Sequence, residues 1–167
     1  MKAVLISIRP EWTRLILSGE KTIEVRKTRP KLETPFKVYI YQTLPKSGDW
    51  NDRDGHVIGE FVCDEIIVDK HGENALLFEN KGWVPFDVQK KYAPKQILYG
   101  WHISALKIYD NPLALSDFIR PCCERVSDCG TCPKFDRENF TCTRMNTITR
   151  PAQSWMYVED GGDFKSK

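Results

Sequence analysis

The most constraining feature of this sequence is a change of hydrophobic period at Gly19. Before it, apolar residues recur at helical spacing over residues 10–18, and the proline that starts this segment suits the first turn of a helix. After it, residues 22–27 alternate with a period of two, which places Glu24 and Arg26 on the same face of a strand. Gly19 is suited to end the helix in a left-handed conformation. The sequence therefore predicts a helix, a tight turn and a strand with one charged face.

Other segments also have the composition of strands, with β-branched and aromatic residues bounded by turn-forming ones. They are Lys2–Ile8, Phe36–Gln42 and residues 56–68, 99–109 and 153–158. A helix is predicted over residues 87–92. A short helix or turn over residues 113–118 follows a strand break at Asn111 and Pro112. Few helices and no regular strand–helix alternation favour an α+β fold, mainly β, whose mixed sheet closes into a small barrel with short helices at its ends.

The balance of charge limits what the chain can bind. Its 167 residues include 25 Lys and Arg and 23 Asp and Glu, which gives a formal net charge of +2. A net charge this small is not enough to bind a long nucleic-acid duplex. Any contact with nucleic acid therefore has to be local. No apolar stretch reaches the roughly 20 residues needed to cross a bilayer, and the first ten residues lack the pattern of a signal peptide. We therefore expect a single-domain cytoplasmic protein with no membrane partner.

Five of the six cysteines are clustered in the last third of the chain. They are Cys122, Cys123, Cys129, Cys132 and Cys142. The pair Cys129 and Cys132 forms a Cys-x-x-Cys turn of the kind that binds tetrahedral Zn²⁺, so four of the five are expected to be zinc ligands and one of the adjacent pair is left over. The surrounding segment has almost no aliphatic residues, and a structural zinc would stabilise it in place of an apolar core. An iron–sulfur cluster with the same ligands and a metal-free, reduced loop are the alternatives.

The residues around Gly19 also form a recognisable motif. Gly19, Lys21, Glu24 and Arg26 fit the pattern glycine-x-lysine-x-x-glutamate-x-arginine, and in this the chain resembles the ASCH domains, a branch of the PUA-like proteins. The elements around the motif also agree in order; they are residues 5–9, 55–64, 101–106 and 153–158. The closing segment, preceded by Arg150 and Pro151, is similar to phage and prophage ASCH proteins of Gram-positive bacteria.

The resemblance implies a PUA-like small β-barrel with short flanking helices. It implies one domain over residues 1–160, of which residues 120–150 form a cysteine-rich metal-binding insertion, followed by a polar tail at residues 161–167. In that fold a cleft lined by Lys21, Glu24 and Arg26 is expected to bind RNA or a modified nucleoside or nucleotide.

The chemistry of these side chains suits such a ligand. Lysine and arginine bind phosphate groups and base acceptors, and a glutamate accepts a hydrogen bond from an exocyclic amine. Further candidates for the same cleft are Ser7, Arg9, Tyr41 and Gln42. Without the resemblance, Glu24 and Arg26 are interpreted as an ordinary ion pair on a strand, and Lys21 as a turn lysine.

Aromatic residues are the second ingredient of a base-binding site. Candidates for stacking are Trp12, Tyr41, Tyr99, Trp101, Trp155 and Tyr157. A stacked base contributes about 1 to 3 kcal/mol. An aromatic residue on a strand is more often part of the core than of a ligand site, so most of the six are expected to be core residues.

Some ASCH proteins are reported as enzymes, either amidohydrolases of acylated cytidine or ribonucleases. The amidohydrolases have a threonine at the position of Glu24, and a carboxylate does not replace a hydroxyl nucleophile of that kind. Glu24 could instead act as a general base toward water while Lys21 stabilises the developing negative charge. We therefore predict a binding module, with a hydrolase as the alternative. A phage adaptor that binds a host protein through the zinc element is a third hypothesis, without a positive signal in the sequence.

Overall fold

The computed structural model of this chain describes residues 2–44, 55–94, 97–121, 135–136, 138, 141–142 and 147–160. The strands within these ranges are β1 Lys2–Ile8, β2 Ile23–Arg26, β3 Phe36–Gln42, β4 His56–Cys63, β5 Ile66–Asp69, β6 Leu98–His102, β7 Ser104–Leu113, β8 Phe135–Asp136, β9 Thr141–Cys142 and β10 Trp155–Glu159. The helices are α1 Pro10–Leu17, α2 Ala75–Gly82 and α3 Phe86–Tyr92. In the described part of the chain, no helix is both long and apolar enough to span a membrane.

Two main sheets form the fold. The larger has five strands in the order β10-β1-β3-β4-β7, and its β1–β3 pair is parallel while the other pairs are antiparallel. The smaller is antiparallel, in the order β2-β6-β5. Strands β8 and β9 form a separate two-stranded sheet. The α+β fold with mainly β structure is confirmed, but within the described residues the sheets do not close into a barrel, so that part of the prediction is wrong.

Two segments predicted as continuous strands instead divide between the two sheets, each at a corner. The segment 56–68 divides into β4 and β5, and the segment 99–109 divides into β6 and β7. At these corners the His102 amide donates to the Glu65 carbonyl at 3.0 Å, and Ala105 has a positive φ of 45°. Strand periodicity predicts extended backbone on both sides of a corner, but it does not indicate which sheet each half joins.

Three apolar clusters fill the spaces around these sheets. The first lies between the facing surfaces of the two sheets and includes Ile6, Ile40 and Trp101, with Ile16 of α1 covering one end. The second lies on the opposite face of the five-stranded sheet and includes Tyr39 and Tyr41. The third joins the outer face of the three-stranded sheet to α2 and α3. The strand β2 therefore has a core on both of its faces.

Several local predictions are confirmed. Helix α1 begins at Pro10, Gly19 has a φ of +76°, and β1 and β3 have the predicted bounds. A 3-10 turn at Leu115–Asp117 matches the short helix or turn expected there. The predicted polar tail at residues 161–167 lies outside the described residues.

One local prediction is wrong, and one helix was not predicted. Pro112 does not end the preceding strand, because β7 runs to Leu113 along an edge of its sheet, where a missing N–H costs no ladder hydrogen bond. Helix α2 was not predicted. Its apolar residues do not recur at helical spacing along the sequence. They also differ in burial, because Phe78 is fully buried while Leu76 is 70% exposed.

Helix α2 packs closely on the three-stranded sheet because Gly100 has no side chain. A Cβ atom there would lie 2.5 Å from Phe78 Cε1 and 2.8 Å from Ile23 Cγ2. We expect Gly100→Ala to lower the free energy of unfolding by about 1 to 3 kcal/mol, as overpacking usually does. Urea denaturation followed by tryptophan fluorescence measures this. Lys107→Ala, at an exposed position, is the control and should leave stability nearly unchanged; equal effects of the two substitutions would contradict the packing argument.

Candidate functional site

The turn after α1 places Lys21 beside strand β2. Gly19 ends the helix with its left-handed backbone, and the Lys21 amide donates to the Leu15 carbonyl at 2.9 Å. On β2, Ile23 and Val25 point into the third apolar cluster. Because side chains alternate along a strand, Glu24 points to the opposite face, toward the five-stranded sheet. The polar face predicted from the sequence is therefore turned inward and not toward solvent.

Lys21, Glu24 and Arg26 form one buried ionic cluster. Glu24 Oε1 lies 3.0 Å from Arg26 Nη2, and Glu24 Oε2 lies 3.3 Å from Lys21 Nζ. The side chains of Lys21, Glu24 and Arg26 are 2%, 7% and 13% exposed. The cluster thus contains two cations and one anion in a region largely closed to water.

Each cation also reaches a carbonyl of another element. Lys21 Nζ donates to the carbonyl of Gly82, the last residue of α2, and lies 5.5 Å from the centre of the Trp12 ring. Arg26 Nη2 donates to the Ser7 carbonyl at 2.7 Å. The cluster therefore connects β2 both to α2 and to β1 of the larger sheet.

Some polar atoms of this face have no hydrogen-bond partner among the described residues. They are Glu24 Oε2, Arg26 Nε and Trp101 Nε1. Trp101 lies directly opposite Glu24 on β6, so the three groups share one face of the sheet. Glu24 Oε2 is within ion-pair distance of Lys21 but makes no aligned hydrogen bond. Buried polar groups of folded proteins are nearly always hydrogen-bonded, and exceptions of this kind are found at functional sites.

Of the additional predicted ligand residues, Ser7 contacts the cluster directly. Ser7 contributes its carbonyl to Arg26, while its hydroxyl donates to the Ala152 carbonyl at 2.7 Å. Arg9 is half-exposed, with Nη1 3.9 Å from Glu11 Oε1. Gln42 accepts a hydrogen bond from Thr13 of α1 at 2.5 Å.

Tyr41 does not belong to the face of the sheet that carries the cluster. It packs in the second apolar cluster, on the opposite face of the five-stranded sheet from Lys21 and Glu24. Its position follows from strand alternation, because adjacent residues of β3 point to opposite faces. The structure therefore brings Lys21, Glu24, Arg26 and the Ser7 carbonyl together, and it does not bring Tyr41 to them.

The aromatic candidates other than Tyr41 belong to the side of the sheet that carries the cluster. Trp12, Tyr99, Trp101, Trp155 and Tyr157 all pack in or against the first apolar cluster. Trp101 is fully buried and its ring meets that of Trp155 edge to face at 5.9 Å between centroids. Trp12 and Trp155 are half-buried, so part of each ring is accessible.

Two groups that contact predicted site residues were not predicted from the sequence: the Gly82 carbonyl, which contacts Lys21, and Thr13, which contacts Gln42. The Gly82 carbonyl is exposed to Lys21 because α2 ends there, with Trp83 in a left-handed conformation at φ 55°. The sequence does not indicate this helix end, because the left-handed residue after a helix is usually glycine or asparagine and here it is a tryptophan. The second is Thr13, a buried threonine on the inner face of α1, and its polarity at a core-facing position was an available signal.

The predicted zinc ligands are not placed by the structure. Cys122, Cys123, Cys129 and Cys132 lie outside the described residues, and for Cys142 only the backbone in β9 is described. Cys63 is buried in the first apolar cluster, and burial raises the pKa of its thiol to about 12. Zinc binding by the clustered cysteines stays a prediction of the sequence.

The family of the chain follows from comparison with known proteins. The family model of the ASCH domain matches residues 6–99, which include α1, the Lys21 turn and β2. The chain belongs to the ASCH domain family. The resemblance seen in the motif of Gly19, Lys21, Glu24 and Arg26 is thereby confirmed, while similarity to phage proteins in particular stays a prediction.

Solved structures similar to this chain include those of an ASCH protein from Zymomonas mobilis. A point mutant of that protein is 21% identical, with a TM-score of 0.49 over 96% of this chain and 92% of its own. The protein described without a mutation is also 21% identical, with a TM-score of 0.48 over 95% of this chain and 88% of its own. Comparison with curated proteins finds no match.

The burial of the ionic cluster leads to a prediction about stability. Glu24→Gln removes the only negative charge of the three side chains and leaves Lys21 and Arg26 buried side by side. We expect a loss of about 3 to 5 kcal/mol in the free energy of unfolding, as when one partner of a buried ion pair is removed. Urea denaturation measures it.

The matched control is an exposed ion pair on α3. Asp87 Oδ2 lies 3.6 Å from Lys91 Nζ, and both side chains are mostly exposed. Asp87→Asn should change stability little, because water screens such pairs. If Glu24→Gln were as mild as Asp87→Asn, the cluster would not contribute to the stability of the fold.

Proposed function

We propose that this protein binds RNA and recognises one unstacked nucleobase at the Lys21–Glu24–Arg26 cluster. ASCH domains are generally RNA-binding modules of the PUA-like superfamily, and membership of the family supports the class of ligand. The observation that carries the proposal for this site is the set of buried polar atoms without partners, at Glu24, Arg26 and Trp101. A nucleobase edge presents donors and acceptors side by side, which is what such a set requires.

The hydrogen-bonding capacity of the cluster defines what the ligand has to offer. Glu24 Oε2 accepts a hydrogen bond, whereas Arg26 Nε and Trp101 Nε1 can only donate. A ligand edge with one N–H group and two acceptor atoms would satisfy all three. The unequal number of cations and anions in the cluster favours an electron-rich acceptor such as a base carbonyl oxygen.

Half-buried aromatic rings are available beside the cluster for stacking. The Trp12 ring already contacts the Lys21 ammonium group, and Trp155 packs against the ring of Trp101. Every nucleobase has a π-face, so stacking adds affinity without sequence preference. Because Lys21 and Glu24 are nearly closed to solvent, binding has to move Arg26, the most exposed side chain of the three.

Binding of single-stranded RNA by purified protein tests the proposal. We expect fluorescence anisotropy to show Glu24→Gln weakening the complex by about tenfold or more, since a hydrogen bond to a charged group contributes about 1.5 to 3 kcal/mol. Glu60→Gln is the matched control, because Glu60 is also a partly buried, ion-paired carboxylate, with Oε2 3.8 Å from Lys37 Nζ. Thermal unfolding of both variants gives the temperature below which each is folded. RNA binding is then compared below the lower of the two temperatures.

The same samples distinguish a reader from an enzyme. Wild-type protein that binds RNA but releases neither acyl groups from acylated cytidines nor fragments from RNA is the expected result. Release of either product by wild-type protein, abolished in Glu24→Gln, would favour the hydrolase with Glu24 as general base. Equal RNA affinities of wild-type protein and Glu24→Gln would contradict base recognition at this cluster.

The proposal for the cysteine cluster is a structural zinc ion with four of the five clustered cysteines as ligands. Elemental analysis of the purified protein should find about one zinc per chain, in line with tetrahedral structural sites. The double substitution Cys129→Ser and Cys132→Ser should abolish it, and Cys63→Ala, which alters a core cysteine, should not. Iron in place of zinc would indicate an iron–sulfur cluster, and a protein without either metal would contradict the proposal.

A further inference from the structure

A concave surface lies on the other side of the three-stranded sheet from the ionic cluster. It is a cavity of about 440 Å³ between α3 and the loop that joins β5 to α2. The residues Asp69 and Leu98 contribute from the sheet, Lys70 and His71 from the loop, and Phe86 and Lys90 from α3. Cavities of this size accommodate small ligands such as a nucleotide.

The exposed charged side chains that line this cavity are positive. Lys70 and Lys90 are exposed, and in the described part of the chain no carboxylate lies within ion-pair distance of either. The Asp69 carboxylate is buried and accepts a hydrogen bond from the Gly72 amide at 2.5 Å. Burial, together with the neighbouring Glu73, raises the pKa of Asp69 and so disfavours its negative charge.

The acidic side chains nearest the rim are occupied by other contacts. Glu73 accepts hydrogen bonds from the backbone amides of Lys70 and His71 at 3.2 and 2.7 Å. Asp87 pairs with Lys91. Neither carboxylate forms an ion pair with Lys70 or Lys90 in the described part of the chain. Glu73 keeps its negative charge, because hydrogen bonds from backbone amides lower its pKa, so the uncompensated positive charge lies at Lys90, on the α3 side of the rim, and favours an anionic ligand there.

Exposed cations lie over aromatic rings from this cavity to the edge of the sheet. Lys90 Nζ is 4.3 Å from the centre of the Phe86 ring, and Lys27 Nζ is 4.3 Å from that of Tyr92. The Arg29 guanidinium carbon is 5.9 Å from the centre of the Tyr99 ring. Together with Lys70, these three pairs form what is called here the basic–aromatic surface.

The basic–aromatic surface includes residues from both sides of the three-stranded sheet. Tyr92 packs against the third apolar cluster, on the side of the cavity, whereas Tyr99 packs against the first, on the side of the ionic cluster. On β6, Tyr99 is the cross-strand partner of Arg26. The surface therefore runs from the cavity around the end of the three-stranded sheet to the residue that forms one side of the cluster.

We propose that the basic–aromatic surface binds the backbone and unpaired bases of a single-stranded RNA, with one nucleotide in the 440 Å³ cavity. The inference rests on the RNA-binding function proposed above and adds a second contact region to it. Cations that alternate with aromatic rings are the combination with which proteins bind single strands, because the charges contact phosphates and the rings stack on bases. An acidic protein partner would need the charges but not the rings.

The salt dependence of RNA binding tests this surface. For single strands, each phosphate contact contributes about 0.7 to the slope of log affinity against log salt concentration. The double substitution Lys27→Ala and Lys90→Ala should therefore reduce that slope by about 1.4 and weaken binding several-fold at low salt. Phe86→Ala should weaken binding without changing the slope, because it removes a ring and no charge.

Lys107→Ala is the matched control, since Lys107 is exposed on β7, away from this surface. This substitution should leave the slope unchanged and should change the affinity only slightly, because it removes one charge that lies far from the RNA. An unchanged slope in the Lys27 and Lys90 double variant, with RNA binding still dependent on Glu24, would overturn the inference and leave the proposed function standing. A reduced slope with no dependence on Glu24 would support the surface and overturn base recognition at the cluster. Wild-type protein that does not bind single-stranded RNA would overturn both.

Discussion

The arrangement of the two sheets depends on a buried cluster of three charges. Arg26 on the smaller sheet donates to the Ser7 carbonyl on the larger one, and Lys21 donates to the carbonyl at the end of α2. Glu24 lies between the two cations. A buried charge that loses its partner costs several kcal/mol, so each side chain restricts the positions that the other two can take. The cluster therefore acts as a specific connection in a region otherwise made of apolar contacts.

The same cluster is incompletely satisfied by the protein itself. Two cations share one carboxylate, and the indole N–H of Trp101 faces this group without a hydrogen-bond partner in the described part of the chain. A cluster that served stability alone would be expected to satisfy its polar groups or to be replaced by apolar residues. Natural proteins depart from this rule mainly where a ligand binds. The side chains that connect the elements of this ASCH domain are thus also the ones proposed to bind its ligand.

The two proposed contact regions would divide the task of RNA recognition. The buried cluster has directional donors and acceptors suited to a base edge, whereas the basic–aromatic surface has exposed cations suited to phosphates. Contacts to phosphates position a nucleic acid and contacts to base edges specify its sequence. Strand β6 connects the two regions, since Trp101 belongs to the cluster and Tyr99, two residues earlier on the same face, belongs to the surface.

The sequence by itself determined the local elements and the composition of the site. Helical spacing, the glycine at position 19 and alternation along β2 depend on neighbouring residues, so they indicated α1, the turn and the residues that share the charged face. Only the tertiary structure decided that this face is buried, because its partners are distant in the chain: Ser7 precedes Arg26 by 19 residues, and Gly82 follows Lys21 by 61. The division into two sheets was likewise decided by strand pairing and register, which local periodicity does not contain.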